Sequence, residues 1–244
     1  MKITTILFDL DGTLLPMDQE IFVKAYFGGI SKRLAPLGYE PQKLISTIWE
    51  GTAAMVKNDG SVSNEIAFWK HFSKVYGTEQ AKRDYPCFEK FYQENFDEVA
   101  KVCGHNPRAK EIIDFLKKQN IRRVLATNPI FPSIATEKRM AWAGLSPSDF
   151  EFFTTYENSR YCKPNPAYYK DILEKIGCDP AECAMVGNDV GEDMIASSLG
   201  MQVFLLTDCI INKHDEDISV YPHGGFEELG AWLKKLTLDS KKSY

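Results

Sequence analysis

Two carboxylates, Asp9 and Asp11, stand two positions apart after the apolar stretch 3–8. Side chains alternate along a strand, so residues at this spacing point the same way and both acids should reach one small volume. Two carboxylates that close repel each other unless a cation neutralises them or one of them carries a proton. The pair therefore predicts a metal-assisted acid/base site. On this stretch alone, an ordinary strand that runs into an Asp-Gly turn at Gly12 stays open as the alternative.

Two further clusters suit a phosphate group. Thr127 and Asn128 end a predicted strand, where a hydroxyl and backbone N–H groups could hold phosphate oxygens. Lys163 precedes Pro164 at the entrance of a predicted helix, where the proline fixes the backbone and an ammonium suits a phosphate and an aspartate together. Taken alone, Thr127 and Asn128 indicate no more than a strand-end turn, and a lone Lys-Pro pair means little.

The last cluster, Asn188, Asp189 and Asp193, follows the apolar stretch 183–187. Its hard oxygens, combined with those of Asp9, are the ligands that Mg²⁺ prefers, commonly with waters completing the octahedron. The alternative is a helix N-terminus that carries acids because the helix dipole favours them there.

Each cluster follows a stretch that has the character of a buried strand, at 3–8, 123–128, 152–155, 183–187 and 202–207. Amphipathic helices are predicted between them, for instance around Ile112 and around Ile172. Alternating strands and helices predict an α/β fold with a parallel sheet covered by helices on both faces. In such sheets ligands bind at the carboxyl ends of the strands, where the four clusters fall.

Residues 17–102 interrupt this alternation and lack any buried-strand pattern. Their apolar spacing predicts helices over 21–37, 42–56, 65–76 and 88–99, which together we call the helical insert. Its aromatic residues, among them Trp49, Phe68, Trp69 and Phe72, are interpreted mainly as the insert's own core. Whether a few of them face the neighbouring site stays open.

Composition excludes several functional classes. The chain of 244 residues carries 29 basic and 34 acidic residues, a net charge of −5, without a long block of one sign. A broad basic surface for nucleic acid and a polybasic membrane anchor are therefore disfavoured. No apolar run approaches a membrane span, and the first residues lack the pattern of a signal peptide. Six scattered cysteines without a C-x-x-C pair then predict reduced thiols in a cytoplasmic protein.

In this order the four clusters resemble the motifs of the haloacid dehalogenase superfamily, in its phosphatase-type members with an inserted helical cap of the C1 type. The stretch Asp9-Leu10-Asp11-Gly12-Thr13 is the specific part, and the resemblance runs from the first strand to the last helix. It implies a Rossmann-like three-layer sandwich of residues 1–16 and 103–244 as the catalytic core, with 17–102 as the cap domain.

The resemblance further implies a magnesium-dependent phosphatase that hydrolyses a small phosphorylated metabolite through an aspartyl-phosphate. Asp9 would attack phosphorus and bind the metal. Asp11 would protonate the leaving alcohol, then activate water, and bind the metal through its backbone carbonyl. Lys163 would stabilise ionised Asp9 and, with Thr127 and Asn128, bind the phosphate.

One motif departs from the family pattern, which places an aspartate directly after the glycine. Here Gly187 is followed by Asn188 and only then by Asp189, so either residue or both could complete the metal site. We favour Asp189, because a carboxylate binds a hard dication more strongly than an amide. Gly12 and Asn188 then support the metal site without binding the ion. Asp193 is expected to contact the metal-binding residues and not the ion, paired with Lys163.

The motifs also bear on other activities of the same fold. A dehalogenase needs no acid to protonate a halide, so Asp11 disfavours that activity. A phosphomutase, or a non-catalytic regulator that binds phosphate or a partner, stays open, although a binding module has no need for both acids. Phosphonate hydrolysis would need a lysine in the insert, and none is marked out by its surroundings. The sequence does not specify the substrate, which could be a sugar phosphate, phosphoglycolate or a nucleotide. It also does not specify the residues that select the substrate, or the oligomeric state. The tail from Asp239 onward is expected to fray.

Overall fold

A single parallel sheet forms the centre of the protein in the computed structural model, which describes residues 2–239. Its six strands stand in the order β3-β2-β1-β4-β5-β6. The strands are Thr5–Phe8 (β1), Arg122–Leu125 (β2), Phe152–Phe153 (β3), Cys183–Gly187 (β4), Gln202–Leu206 (β5) and His223–Gly224 (β6). β2 and β3 lie on one side of β1, and β4, β5 and β6 lie on its other side, so the strand order reverses between β1 and β4. In open α/β sheets ligands bind at this point.

Both faces of the sheet are buried. Ile6 and Phe8 of β1 belong to one hydrophobic cluster, whereas Leu7, which points to the other face, belongs to a second cluster. Helices cover the two faces, so the predicted α/β fold with a helix-flanked parallel sheet is confirmed. The α-helices are Gln19–Leu34 (α1), Pro41–Val56 (α2), Asn64–Tyr76 (α3), Thr78–Glu94 (α4), Pro107–Lys118 (α5), Ser133–Trp142 (α6), Pro166–Ile176 (α7) and Phe226–Asp239 (α8).

The observed elements differ from the predicted ones in three places. The two-residue strand β6 was not predicted. Between the stretches 183–187 and 202–207, where the alternation predicts a helix over 193–199, the structure has a 3-10 helix, Met194–Leu199. α4 begins ten residues before the predicted start at 88 and ends earlier, and the 3-10 helix Phe96–Val102 follows it. Beyond Asp239, which ends α8, the tail expected to fray lies outside the described residues.

The helical insert consists of α1 to α4 and the 3-10 helix that follows them. Its two ends lie side by side, because Met17 and Cys103 form an antiparallel bridge and the Gly104 N–H donates to the Pro16 carbonyl at 2.7 Å. Chain entry and exit are thus one narrow connection. This geometry supports the predicted division at 16/17 and 102/103, which stays a prediction.

A second contact ties the insert to the core at the start of α3. Asn64 is fully buried, and its side-chain amide donates to the Pro129 carbonyl at 3.2 Å and to the Cys162 sulfur at 3.3 Å. These acceptors neighbour Asn128 and Lys163, so the insert is anchored to two of the loops that carry the predicted site. Within residues 2–239, no helix combines the length and apolarity needed to cross a membrane.

Candidate active site

The loop after β1 brings Asp9 and Asp11 to the edge of the sheet. β1 ends at Phe8, so both acids follow the strand and do not continue its alternation. They nevertheless line the same cavity. Gly12 has φ +86°, a conformation that L side chains rarely adopt, and a Cβ there would lie 2.3 Å from the amide nitrogen of Asn188. Gly12 therefore permits both the turn and the close approach of the loop after β4.

Lys163 joins two carboxylates inside the protein. Its ammonium donates to Asp9 Oδ1 at 2.9 Å and to Asp193 Oδ1 at 2.6 Å, and its side chain is 1% exposed. Burial alone would lower the pKa of Lys163, but the carboxylates of Asp193 and Asp9 outweigh it and hold that pKa well above its usual value. The ammonium therefore stays charged. Thr13 donates to the other oxygen of Asp9 at 3.0 Å, so both carboxylate oxygens of Asp9 are oriented.

Asp11 forms an ion pair with Arg139, a contact that the sequence did not indicate. Arg139 lies in α6, is fully buried, and its Nη1 donates to Asp11 Oδ2. The rest of the guanidinium is also held: it donates to the Ala135 carbonyl and to Thr136 Oγ1, each at 3.2 Å, and stacks 4.5 Å from the ring centroid of Phe131. Arg139 is thus a fixed positive charge beside Asp11.

The surroundings of Asp11 act on the pKa of its carboxyl in opposing directions. Burial raises the pKa of its carboxyl, the Arg139 guanidinium lowers it, and the negative charge of Asp9 raises it again, with a net upward direction. Asp11 Oδ1 is buried and has no hydrogen-bond partner among residues 2–239. A carboxyl with a raised pKa and an oxygen without a partner is suited to exchange a proton with a bound molecule.

Thr127 and Asn128 follow β2 and also line the cavity. The Thr127 carbonyl accepts from Thr154 Oγ1 at 2.6 Å and from the Tyr168 hydroxyl at 2.8 Å, which fixes the backbone here. Asn128 Nδ2 donates to Glu192 Oε2 at 3.0 Å. The amide nitrogen has a second N–H, so Asn128 can keep this bond to Glu192 and still donate to a phosphate oxygen.

The structure distinguishes the two residues after Gly187. Asn188 Oδ1 accepts from Thr13 at 3.0 Å and Nδ2 donates to the Cys209 carbonyl at 2.6 Å, so its amide already holds two loops together. Asp189 Oδ1 caps the following turn by accepting from the backbone N–H groups of Gly191 and Glu192. Its Oδ2 has Lys213 only at 4.0 Å and is therefore the more available ligand.

Asp193 packs against the glycine of the same motif. A Cβ at Gly187 would lie 2.1 Å from Asp193 Oδ2, so only glycine lets this carboxylate approach the end of β4. Asp193 Oδ2 accepts from the Asp189 N–H at 3.0 Å while its other oxygen binds Lys163. It therefore links the lysine to the backbone of Asp189.

The oxygen donors here fit a magnesium ion in chemistry, because Asp9 and Asp189 supply carboxylates that line one cavity. The backbone carbonyl of Asp11 is the further donor that the family resemblance implies. Among residues 2–239, no group of three or more His, Cys, Asp or Glu side chains is arranged so that it could hold a metal ion. A cation at this place would accordingly use two carboxylates, the carbonyl and waters, which is a common arrangement for Mg²⁺.

The cavity in front of these residues has a volume of about 770 Å³. Its floor is formed by the loops after β1, β2 and β4, and its roof by α1 to α4 of the helical insert. Phe68 and Trp69 line it, whereas Phe72 is fully buried and does not. The aromatic residues of the insert thus divide into a core set and a set that faces the site.

Comparison with known proteins agrees with this geometry. A family profile described as haloacid dehalogenase-like hydrolase matches residues 3–198. A curated relative, the pyrophosphatase PpaX of Bacillus velezensis, is 22% identical over 199 residues, which cover 82% of this chain and 81% of that protein.

Solved structures share the fold at low sequence identity. A 2-haloacid dehalogenase from Pseudomonas syringae superposes with a TM-score of 0.61 at 19% identity, covering 96% of this chain and 99% of the other. The HAD-hydrolase YfnB from Bacillus subtilis, described as bound to magnesium, gives a TM-score of 0.56 at 17% identity with the same coverage. Because the profile spans most of the chain and the four motifs meet at one edge of the sheet, the protein belongs to the haloacid dehalogenase-like hydrolase family.

Proposed function

We propose that this hydrolase is a magnesium-dependent phosphatase that cleaves a small phosphate monoester through an aspartyl-phosphate on Asp9. The observation that carries the proposal is the pairing of two differently held carboxylates, Asp9 on Lys163 and Asp11 on Arg139, at one cavity. A dehalogenase has no use for the second acid, since a halide leaves without a proton. The pyrophosphatase name of the PpaX relative also points to phosphoryl chemistry.

In the first step, an Asp9 carboxylate oxygen attacks phosphorus while the bond from phosphorus to the leaving oxygen breaks. Lys163 and Thr13 orient the nucleophile, and the Lys163 ammonium reduces the repulsion between Asp9 and the phosphate. The proton of Asp11 goes to the leaving oxygen, so the leaving group departs as a neutral alcohol. Thr127 and Asn128, which line the cavity beside Asp9, would bind the phosphoryl oxygens.

In the second step, Asp11, now ionised, takes a proton from water whose oxygen attacks phosphorus. The bond between phosphorus and Asp9 breaks, which releases phosphate and restores Asp9. Asp9, Asp189 and the Asp11 backbone carbonyl would hold the magnesium ion. When bound, that ion would supply positive charge that offsets the charge developing on the phosphoryl oxygens.

Turnover of p-nitrophenyl phosphate tests this function. We expect phosphate release by the full chain in magnesium, loss of that release when a chelator removes the metal, and no release by Asp9→Asn. Hydrolysis by wild type no faster than by Asp9→Asn would contradict the proposal and favour a non-catalytic phosphate-binding role.

The cytoplasmic location expected from the scattered cysteines, all six of which are free thiols, stays a prediction.

A further inference from the structure

The cavity is much larger than a phosphate group requires. At about 770 Å³ it falls in the range of sites that enclose a complete organic ligand. The groups that act on phosphorus lie at its floor, in the loops after the strands. The space beneath the helical insert must then hold the rest of the substrate, which is the leaving group.

Aromatic rings are prominent in the wall around that space, since eleven of the described residues that line the cavity are aromatic. Phe22, Trp49 and Phe68 contribute from the insert, and Phe131 and Tyr156 from the core. The rings hold one another in place: Trp49 lies 5.4 Å from Phe27 between centroids. A wall of pre-positioned rings favours a flat, apolar ligand, because aromatic pairs add about 0.5–1.5 kcal/mol to the gain from burial.

The charges around the cavity disfavour an anionic leaving group. The acidic residues Glu89, Glu137 and Glu157 lie at its exposed rim. Across the described chain, residues 2–239, Lys213 is the one basic side chain in the lining, and it lies by Asp189 at the floor. Lys163 and Arg139 are engaged with Asp9 and Asp11. A second phosphate or a carboxylate under the insert would therefore meet like charge, with no cationic side chain beside it in the insert's part of the described lining.

We propose that the substrate is a phosphate monoester whose leaving group is uncharged and carries an aromatic ring, which binds against the insert's wall. This inference rests on the proposed phosphatase function and specifies its substrate class. It separates the chain from its PpaX relative, whose name describes a pyrophosphatase. It also disfavours phosphoglycolate, whose leaving group carries a carboxylate, among the substrates considered from the sequence.

Matched alkyl phosphates test the ring and the charge separately. Ethyl phosphate and 2-phenylethyl phosphate have similar leaving alcohols, so a difference in kcat/KM reports the ring and not bond reactivity. We expect 2-phenylethyl phosphate to be favoured by about tenfold or more, equivalent to about 1.4 kcal/mol. Adding a para-carboxylate to the ring, or offering pyrophosphate, should remove the advantage.

Two variants locate the ring. Trp49, which is 50% exposed and lines the cavity, can be truncated without opening the core, so Trp49→Ala should reduce the ratio of the two kcat/KM values several-fold. Ile66→Ala is the control, since Ile66 is similarly exposed on the same insert but does not line the cavity, and it should leave the ratio unchanged.

The outcomes distinguish a failure of the aromatic leaving group from a failure of the phosphatase function. Equal kcat/KM for the two esters, a preference for pyrophosphate or the carboxylated ester, or a ratio unaffected by Trp49→Ala would overturn the aromatic leaving group while the phosphatase stands. Failure of every phosphate compound to react faster than with Asp9→Asn would overturn the proposed function and this inference with it.

Discussion

Arg139 controls both the position and the proton affinity of Asp11. A buried guanidinium that is bound to Asp11 and held by Ala135, Thr136 and Phe131 fixes where the proton carrier points. It also opposes the effect of burial on the pKa of Asp11. A positioning role follows, because Arg139 acts through Asp11 and does not itself line the cavity.

Replacement of Arg139 by methionine should both destabilise the fold and slow the chemistry. Loss of one partner from a buried ion pair leaves an uncompensated charge, so the free energy of unfolding should fall by about 3 kcal/mol. Misplacement of the general acid should lower kcat by about a hundredfold while KM changes little. Denaturant titration and steady-state kinetics measure these two effects.

Two other variants serve as comparisons for that prediction. Arg33→Met, which breaks the exposed pair with Glu94, should cost less than about 1 kcal/mol. Arg139→Lys should recover part of the lost kcat, because it keeps the charge but not the planar fork. A kcat for Arg139→Met equal to that of wild type would show that Arg139 has only a structural role.

Asp189 and Asn188 make a second prediction at the residue scale. Asp189→Ala should weaken magnesium binding about tenfold or more in calorimetric titration, since one of two carboxylate ligands is lost. Asn188→Ala should instead reduce stability by about 1–2 kcal/mol, because its bonds to Thr13 and Cys209 are lost. Unchanged magnesium affinity in Asp189→Ala together with weak binding in Asn188→Ala would assign the ligand to Asn188.

At the scale of elements, strands were predictable where the chain buries an unbroken apolar run. β1, β4 and β5 are such runs, whereas β6 has two residues and no pattern to detect. The start of α4 was missed because Gly77 precedes it without a side-chain cap and Pro86 lies inside it. Proline normally ends a helix, so the apolar spacing could be followed only beyond it.

The same limits explain what was found at the site. Residues just after strand ends, such as Asp9 and Thr127, could be predicted because a parallel sheet gathers them at one edge. Arg139 could not, since it lies within α6 and not in a loop at the edge of the sheet. One signal was present: an arginine on the same face of α6 as the buried Ala135 and Thr136.

Within the insert, Asp84 of α4 predicts a dependence of stability on pH. Its buried carboxylate accepts from Arg83 at 2.8 Å and from the Tyr39 hydroxyl at 2.9 Å. The hydrogen bond from Arg83, with that from Tyr39, holds the pKa of Asp84 below its usual value against the effect of burial. A lowered pKa stabilises the fold above the unfolded-state pKa near 3.8, and this stabilisation is lost as pH falls further.

Acid denaturation measures this contribution. The free energy of unfolding of wild type should fall more steeply below about pH 4 than that of Asp84→Asn, which has no proton to gain at this position. Asp18→Asn is a suitable control, because Asp18 caps α1 at the surface. Parallel slopes for wild type and Asp84→Asn would contradict the assignment.

At the scale of the whole molecule, the work is divided between two parts of the chain. In the proposed function, the loops of the sheet would supply the residues that act on phosphorus, and the helical insert, with Phe131 and Tyr156 of the core, would contact the rest of the substrate. The narrow junction at Met17 and Cys103 and the anchor at Asn64 connect these parts.

The central claim, that Asp9 becomes phosphorylated, is tested most directly by trapping the intermediate. Wild-type protein would be mixed with magnesium and 2-phenylethyl phosphate, quenched in acid within one turnover, and digested for mass spectrometry. We predict one phosphoryl group on the peptide that contains Asp9, and none in Asp9→Asn. Turnover without any phosphorylated peptide, or a phosphoryl group on another residue, would contradict the account.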